Sequence, residues 1–143
     1  QWHLSNALFA GEDINVTPVW TACGVSATCR GEGIRIAVVD DGLEIKHEDL
    51  AANVATGLSY NYTNGSSNPT GGEHGTSVAG VLAARDLNGL GVRGVAPRAN
   101  LVGYNLIATL ATSTPSNTAS APSTMAWSSA INTRIGIAAS PPP

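Results

Sequence analysis

The sequence predicts an α/β chain built on a parallel sheet, and three segments carry that reading. Ile34-Arg-Ile-Ala-Val-Val-Asp40 and Leu101-Val-Gly-Tyr-Asn-Leu-Ile107 are short apolar runs. The first is rich in β-branched residues, the pattern of a strand buried on both faces. Between them, Gly75-Thr-Ser-Val-Ala-Gly-Val-Leu-Ala-Ala-Arg85 sets Val78, Val81, Leu82 and Arg85 at helical spacing, an apolar stripe closed by a polar end. Strand, helix and strand in this order imply right-handed crossovers in one sheet.

The flanking elements follow in chain order. Residues 1–33 are irregular apart from one helix start, with Thr17 as N-cap, Pro18 at the first helical position and Val19, Trp20 and Ala22 behind it. That helix is expected to end before Cys23. Asn61 to Gly72 is dense in Asn, Gly, Ser, Pro and Thr and reads as loop, as does Asp86 to Arg98. Gly75 and Gly80 each weaken the central helix by about 1 kcal/mol relative to alanine. Keeping both implies close backbone approach there. From residue 108 the composition shifts to Ala, Ser, Thr and Pro with Arg134 as its one charge, so 108–143 reads as a low-complexity tail behind a unit of 1–107.

Composition narrows the function. With 143 residues and 43% hydrophobic content there is room for one modest core, built from aliphatic side chains because aromatics make up 5%. Seven basic against ten acidic residues give no clustered basic face, so no nucleic-acid partner is expected. No apolar run of about 18 residues marks a membrane span. The opening Gln1-Trp2-His3-Leu4 is not a secretory signal, so any such signal is expected to be absent from this sequence. Cys23 and Cys29 are too few for a four-ligand zinc site and are not spaced Cys-x-x-Cys. Two readings stand. One is a short-loop disulfide worth about 2 kcal/mol in an oxidising compartment; the other is a pair of buried thiols.

Two segments carry chemistry. Val38-Val39-Asp40-Asp41-Gly42 places a carboxylate at the carboxyl end of a buried strand, where open α/β sheets hold their sites. Such an aspartate accepts a histidine's Nδ1–H and stabilises the imidazolium formed in proton transfer. Asp-Asp-Gly alone also fits a simple turn. His74-Gly75-Thr76-Ser77-Val78-Ala79-Gly80 puts an imidazole at the mouth of a helix, beside a residue with no side chain to block a partner. His3 and His47 lack such a context and read as ordinary surface or core residues.

Asp40-Asp41-Gly42 after an apolar strand, followed by the heptapeptide from His74, resembles the subtilase superfamily of serine peptidases, which runs aspartate, histidine, serine along the chain. The doubled aspartate and Gln1-Trp2-His3-Leu4 are similar to the kexin and furin branch. The resemblance covers about residues 1–107. It implies a partial doubly wound parallel sheet of the subtilisin type, with Asp40 as the orienting acid and His74 as general base and acid. It gives Asp41 a place facing the substrate side chain before the P1 residue, where it favours a basic group; a turn-forming role is the alternative. Glu44 either adds negative potential nearby or is a solvated loop carboxylate.

The resemblance also implies a structural Ca²⁺. Its ligands would be the Asp49 carboxylate, the Asn88 side-chain oxygen and the carbonyls of Arg85, Leu90 and Val92, with Gln1 as a further oxygen donor. An all-oxygen set on a glycine-bent loop suits a hard cation.

The family's serine nucleophile in Gly-Thr-Ser-x-Ala, and its oxyanion asparagine, are not found. Pro122-Ser123-Thr124-Met125-Ala126 transposes the motif, lacks its glycine and follows His74 too closely. In subtilisin itself, loss of the serine costs about 10⁶-fold in kcat. The expectation is therefore a secreted serine endopeptidase cutting after basic residues, of which this chain is an incomplete, inactive piece. Its partners would be a protein or peptide substrate and a propeptide or chaperone. The alternative is a catalytically inactive subtilase-like protein-binding domain; a small α/β binding domain unrelated to proteolysis is a third. Asn15-Val16-Thr17, Asn61-Tyr62-Thr63 and Asn64-Gly65-Ser66 match the N-glycosylation pattern, which is common by chance.

Overall fold

The computed structural model describes residues 1–9, 11–23 and 29–107. The stretch 108–143, read as a low-complexity tail, lies outside them. In chain order the elements are α1 (Thr17–Ala22), β1 (Arg35–Asp40), a 3-10 turn (Ala51–Asn53), β2 (Tyr60–Asn61), α2 (His74–Ala83) and β3 (Asn100–Asn105).

The three strands form one parallel sheet in the order β1-β3-β2. β3 is central and buried from Leu101 to Asn105, as its sequence predicts. β1 is less enclosed than expected. Among its residues only Val38 is buried, while Val39 is 43% exposed. The reason is position: among the described residues β1 has a neighbouring strand on one side only, β3, and α2 packs against it. β2 falls at the start of the segment read as loop. Two residues carry no detectable period, and only pairing with β3 makes them a strand.

α2 forms where expected but turns a different face inward. Gly75, Ala79 and Ala83, four residues apart, are its buried residues, whereas Val81 is 50% exposed. Small residues win the inner face because the helix lies close on the sheet. Val78 and Leu82 flank the core and are half-buried. Of the two glycines, only Gly75 meets the expectation of close approach; a Cβ at Gly80 would meet nothing within 4 Å. At the other end of α2, the buried Asn53 amide donates to the carbonyls of Ala83 and Pro97, both at 2.8 Å. The Ala83 carbonyl is one that a helix end leaves without a partner of its own, and Pro97 lies on the loop before β3.

In α1, Thr17 is the first helical residue rather than the cap; Val16 precedes it, and the Thr17 hydroxyl donates to the Leu4 carbonyl. Cys23 and Cys29 form a disulfide, which settles the choice between the two cysteine readings. The Asp86 carboxylate is fully enclosed by three guanidinium groups: Arg30 at 2.6 Å, Arg98 at 2.9 Å and Arg93 at 3.6 Å. The Arg98 contact is an ion pair without hydrogen-bond geometry. Arg30 and Arg93 also lie over the Trp20 ring, at 6.0 and 5.0 Å from its centroid. Among the described residues, no helix is long and apolar enough to cross a membrane.

Candidate active site

β1 delivers Asp40 to the carboxyl end of the sheet, in register with Asn105 of β3. The Asp40 carbonyl accepts the Leu106 N–H at 3.0 Å, which anchors the strand end. The chain then turns at Gly42, whose φ of +148° lies in the region that L side chains rarely adopt. A Cβ there would also stand 2.7 Å from the Pro69 carbonyl oxygen and 2.6 Å from the Gly71 nitrogen. Gly75 completes the approach from the other side. A Cβ at that position would lie 2.8 Å from the Asp40 Cβ and strike the Gly42 carbonyl. The sequence thus clears two backbones of side chains where the mouth of α2 meets the end of β1.

That junction brings His74 onto Asp40. The Nδ1 of His74 is 2.9 Å from Oδ1 and 2.9 Å from Oδ2 of Asp40. A carboxylate offers only acceptors, so Nδ1 carries the proton and Nε2 keeps its lone pair. Asp40 is largely covered, at 17% exposure, while the His74 ring is 72% exposed. The Asp41 N–H bond to Oδ1 (2.7 Å), and then the His74 bond, hold the Asp40 carboxyl below the usual range. The Asp40 hydrogen bond, followed by its charge, raises the imidazole above an ordinary histidine. An acid kept ionised beside a base of raised affinity for protons is what a general-base histidine needs.

Asp41 turns to a different task in the geometry. Its Oδ1 accepts the Gly75 N–H at 2.8 Å, and its Oδ2 faces the His74 N–H at 3.4 Å. These are the first two amides of α2, which no side chain of the helix's own flank caps. Asp40, Asp41 and His74 place ligand atoms within 4.8 Å of one another. With Asp41 turned onto the helix amides, Asp40 alone of the two aspartates contacts the His74 ring.

Of the residues expected at a cation site, Asn88, Val92 and Arg85 bond to Asp49, and Leu90 bonds to Asn88. Asp49 is 2% exposed, and its carboxylate accepts from the Asn88 amide and the Val92 N–H, each at 2.7 Å. Its carbonyl accepts the Arg85 N–H at 2.8 Å. Gln1 lies beside the same loop, bound to the backbone of Arg93 through both side-chain atoms at 2.9 Å. Glu44 is exposed. His47 stays local, accepting the Asp49 N–H at 3.2 Å. Asn61 is 2% exposed and its Oδ1 accepts from the Thr63 hydroxyl, so the asparagine of that glycosylation pattern is buried.

Sequence reading missed Thr76 and Asn105. The Thr76 hydroxyl accepts the Glu44 N–H at 2.9 Å and ties the first turn of α2 to the loop after Gly42. Asn105, 4% exposed, neighbours Asp40 across the sheet. No local pattern marks either, since both act through partners about 30 or more residues away.

Residues 31–139 match the model of the subtilase family. The extracellular serine protease of Aeromonas sobria is 44% identical over 120 residues, covering 75% of this chain and 18% of that protein. The dibasic-processing endoprotease of Schizosaccharomyces pombe is 35% identical over 111 residues, covering 75% of this chain and 15% of that protein. Kexins and furin-like proteases are also among its relatives. The crystal structure of the Aeromonas sobria serine protease with a chaperone superposes with a TM-score of 0.52 at 50% identity, over 57% of this chain and 14% of that one. The chain therefore spans less than a fifth of the length of these relatives. An aspartate at a strand end holding the histidine of a facing helix, within a match covering most of the sequence, establishes that the chain belongs to the subtilase family.

Proposed function

We propose that this chain supplies the aspartate and histidine of a secreted serine endopeptidase that cuts after basic residues. The observation that carries the proposal is the 2.9 Å contact of His74 Nδ1 with Asp40. It leaves Nε2 free to take the proton of a serine hydroxyl as that oxygen attacks a peptide carbonyl. Nε2 then returns the proton to the departing amine, while Asp40 stabilises the imidazolium between the two steps. The serine lies outside the described residues. Support for basic specificity comes from the kexin-like relatives and from Asp41, whose carboxylate stands beside His74 and keeps lone pairs for a substrate cation. Support for secretion, and for assistance by a propeptide or chaperone, comes from the extracellular Aeromonas protease and its structure with a chaperone.

A structural Ca²⁺ belongs to the same proposal, and the residues fit it. Asp49 is a buried carboxylate with the Asn88 amide against it. A Cβ at Gly91 would collide with that carboxylate, so the glycine keeps the space clear. The carbonyls of Arg85, Leu90 and Val92 accept no backbone hydrogen bond among the described residues. Asn88 joins this set once its amide turns to present Oδ1. Bound there, the cation would fix the loop behind α2.

The test is the protein encoded by the whole gene, assayed on fluorogenic peptides with Arg or Ala at P1 and treated with a fluorophosphonate probe. Cleavage after Arg with labelling of a serine is expected. A stable protein that takes no label and binds peptides uncut would support instead the inactive binding domain.

A further inference from the structure

We propose that Arg93 and Arg30, lying over the indole of Trp20, form a binding pocket for a carboxylate, one that neither the Asp40–His74 pair nor the cation loop uses. Thr17, Trp20, Thr21, Arg30 and Arg93 line a cavity of about 270 Å³. Clefts for drug-sized molecules run from about 300 to 1,000 Å³, so this one suits a single side chain or a small anion.

Charge decides the kind of ligand. Three guanidinium groups surround Asp86, but only Arg30 hydrogen-bonds it, from Nη1 to Oδ2 at 2.6 Å. The Nη2 of Arg93 stops at 3.6 Å, beyond hydrogen-bond range. Among the described residues the Arg93 guanidinium therefore donates to nothing, although its side chain is only 33% exposed. The other carboxylate nearby, Glu32, accepts the backbone N–H of Arg30 at 2.9 Å. Even with Asp86 and Glu32 both counted, the three arginines leave one positive charge in excess. A carboxylate matches that single charge, whereas a phosphate monoester carries close to two.

The donors are held in place before a ligand arrives. Gln1 clamps the Arg93 backbone: its Oε1 accepts the Arg93 N–H and its Nε2 donates to the Arg93 carbonyl, both at 2.9 Å. The Arg30 carbonyl accepts the Arg98 N–H at 2.8 Å. Trp20, 7% exposed, lies under both guanidinium groups, 5.0 Å from that of Arg93 and 6.0 Å from that of Arg30. A guanidinium resting on a ring keeps its in-plane N–H groups for a planar anion, which it meets with two parallel bonds. The hydroxyls of Thr17 and Thr21 already donate to the carbonyls of Leu4 and Thr17, so recognition falls to the arginines.

The protein encoded by the whole gene is titrated calorimetrically at low ionic strength with acetate, with a blocked Ala-Glu-Ala peptide and with its Ala-Gln-Ala counterpart. None of these offers a basic residue to cut after. The glutamate peptide is expected to bind with a Kd of about 1 mM, the scale of two charge-assisted hydrogen bonds, and the glutamine peptide not at all. Arg93→Gln should weaken that binding about tenfold or more. Acetate that competes with the peptide makes any free carboxylate a ligand; peptide binding without acetate binding assigns the pocket to an acidic segment of a protein partner. Thr21→Glu keeps the test open should Arg93→Gln fail to fold, because it sets a carboxylate of the chain's own into the pocket. It should raise Tm and abolish peptide binding. Equal binding of the two peptides, no binding of peptide or acetate up to about ten times the expected Kd, or glutamate-peptide binding unchanged in Arg93→Gln or in Thr21→Glu would overturn the proposal.

Discussion

His74 donates through Nδ1 to a carboxylate, Asp40, whose two oxygens are equidistant from it at 2.9 Å. The imidazole is therefore held at one end and exposed at the other. Replacing either partner should disable the enzyme without unfolding it. In the protein encoded by the whole gene, His74→Ala is expected to lower kcat by about 10⁶-fold and Asp40→Asn by about 10⁴-fold, the scale found for subtilisin, a member of the same family. Steady-state kinetics on a basic peptide, with circular dichroism to confirm folding, measures both.

The same contact sets a pH dependence. Asp40 raises the affinity of His74 for a proton, so the rising limb of kcat/KM should lie above the range of an ordinary histidine. Asp40→Asn should move the His74 titration, followed by NMR, to lower pH. The stability contributions have opposite signs. That of His74, with its raised value, is complete below the unfolded histidine range and disappears as pH climbs through the folded value. That of Asp40, with its lowered value, is present above the unfolded carboxyl range and disappears as pH falls through the folded value.

Asp41 faces the first amides of α2, so Asp41→Ala should cost about 1 kcal/mol, the usual loss of a helix cap. Asp41→Asn keeps an acceptor and should cost less. If Asp41 also reads a substrate cation, Asp41→Asn should raise KM more for peptides basic at the residue before P1 than for neutral ones. A uniform change would assign Asp41 to the helix alone.

Removing Asp86 would leave three guanidinium groups without their shared anion. Asp86→Ala is expected to destabilise the fold by about 3 kcal/mol. That is the low end for breaking a buried pair, because each arginine side chain is roughly a third exposed and water takes up part of the charge. Urea unfolding of the variant reads this directly.

Calcium at a hundred times its Kd should add about 2.7 kcal/mol of stability, seen as a rise in Tm that EDTA removes. Asp49→Asn should abolish that rise. A Tm indifferent to both would end the calcium reading.

Much of this was legible in the sequence because the signals are local. β3 announces itself through consecutive apolar residues, and the heptapeptide from His74 carries both a helix start and a base. The hidden parts depend on distant partners. Nothing near Asp41 says that it caps a helix that starts about thirty residues later. The inner face of α2 was misread because bulk suggested valine and leucine, whereas a helix lying close on a sheet selects Gly75, Ala79 and Ala83. β2 was missed because Tyr60 and Asn61 become a strand only against Tyr104 and Asn105.

The pairing of Arg35 with Asn100 joins positions 65 residues apart, and every β1 residue pairs with β3 at that same separation. Contacts so remote must overcome a large loop-closure entropy before they return any stability, which makes a topology slow to form. Among the described residues β1 pairs only with β3, so on a ribosome it waits for that strand to emerge. Asp40 is thus fixed in the sheet only once β3 is present, and until then the apolar residues of β1 are open to mispairing.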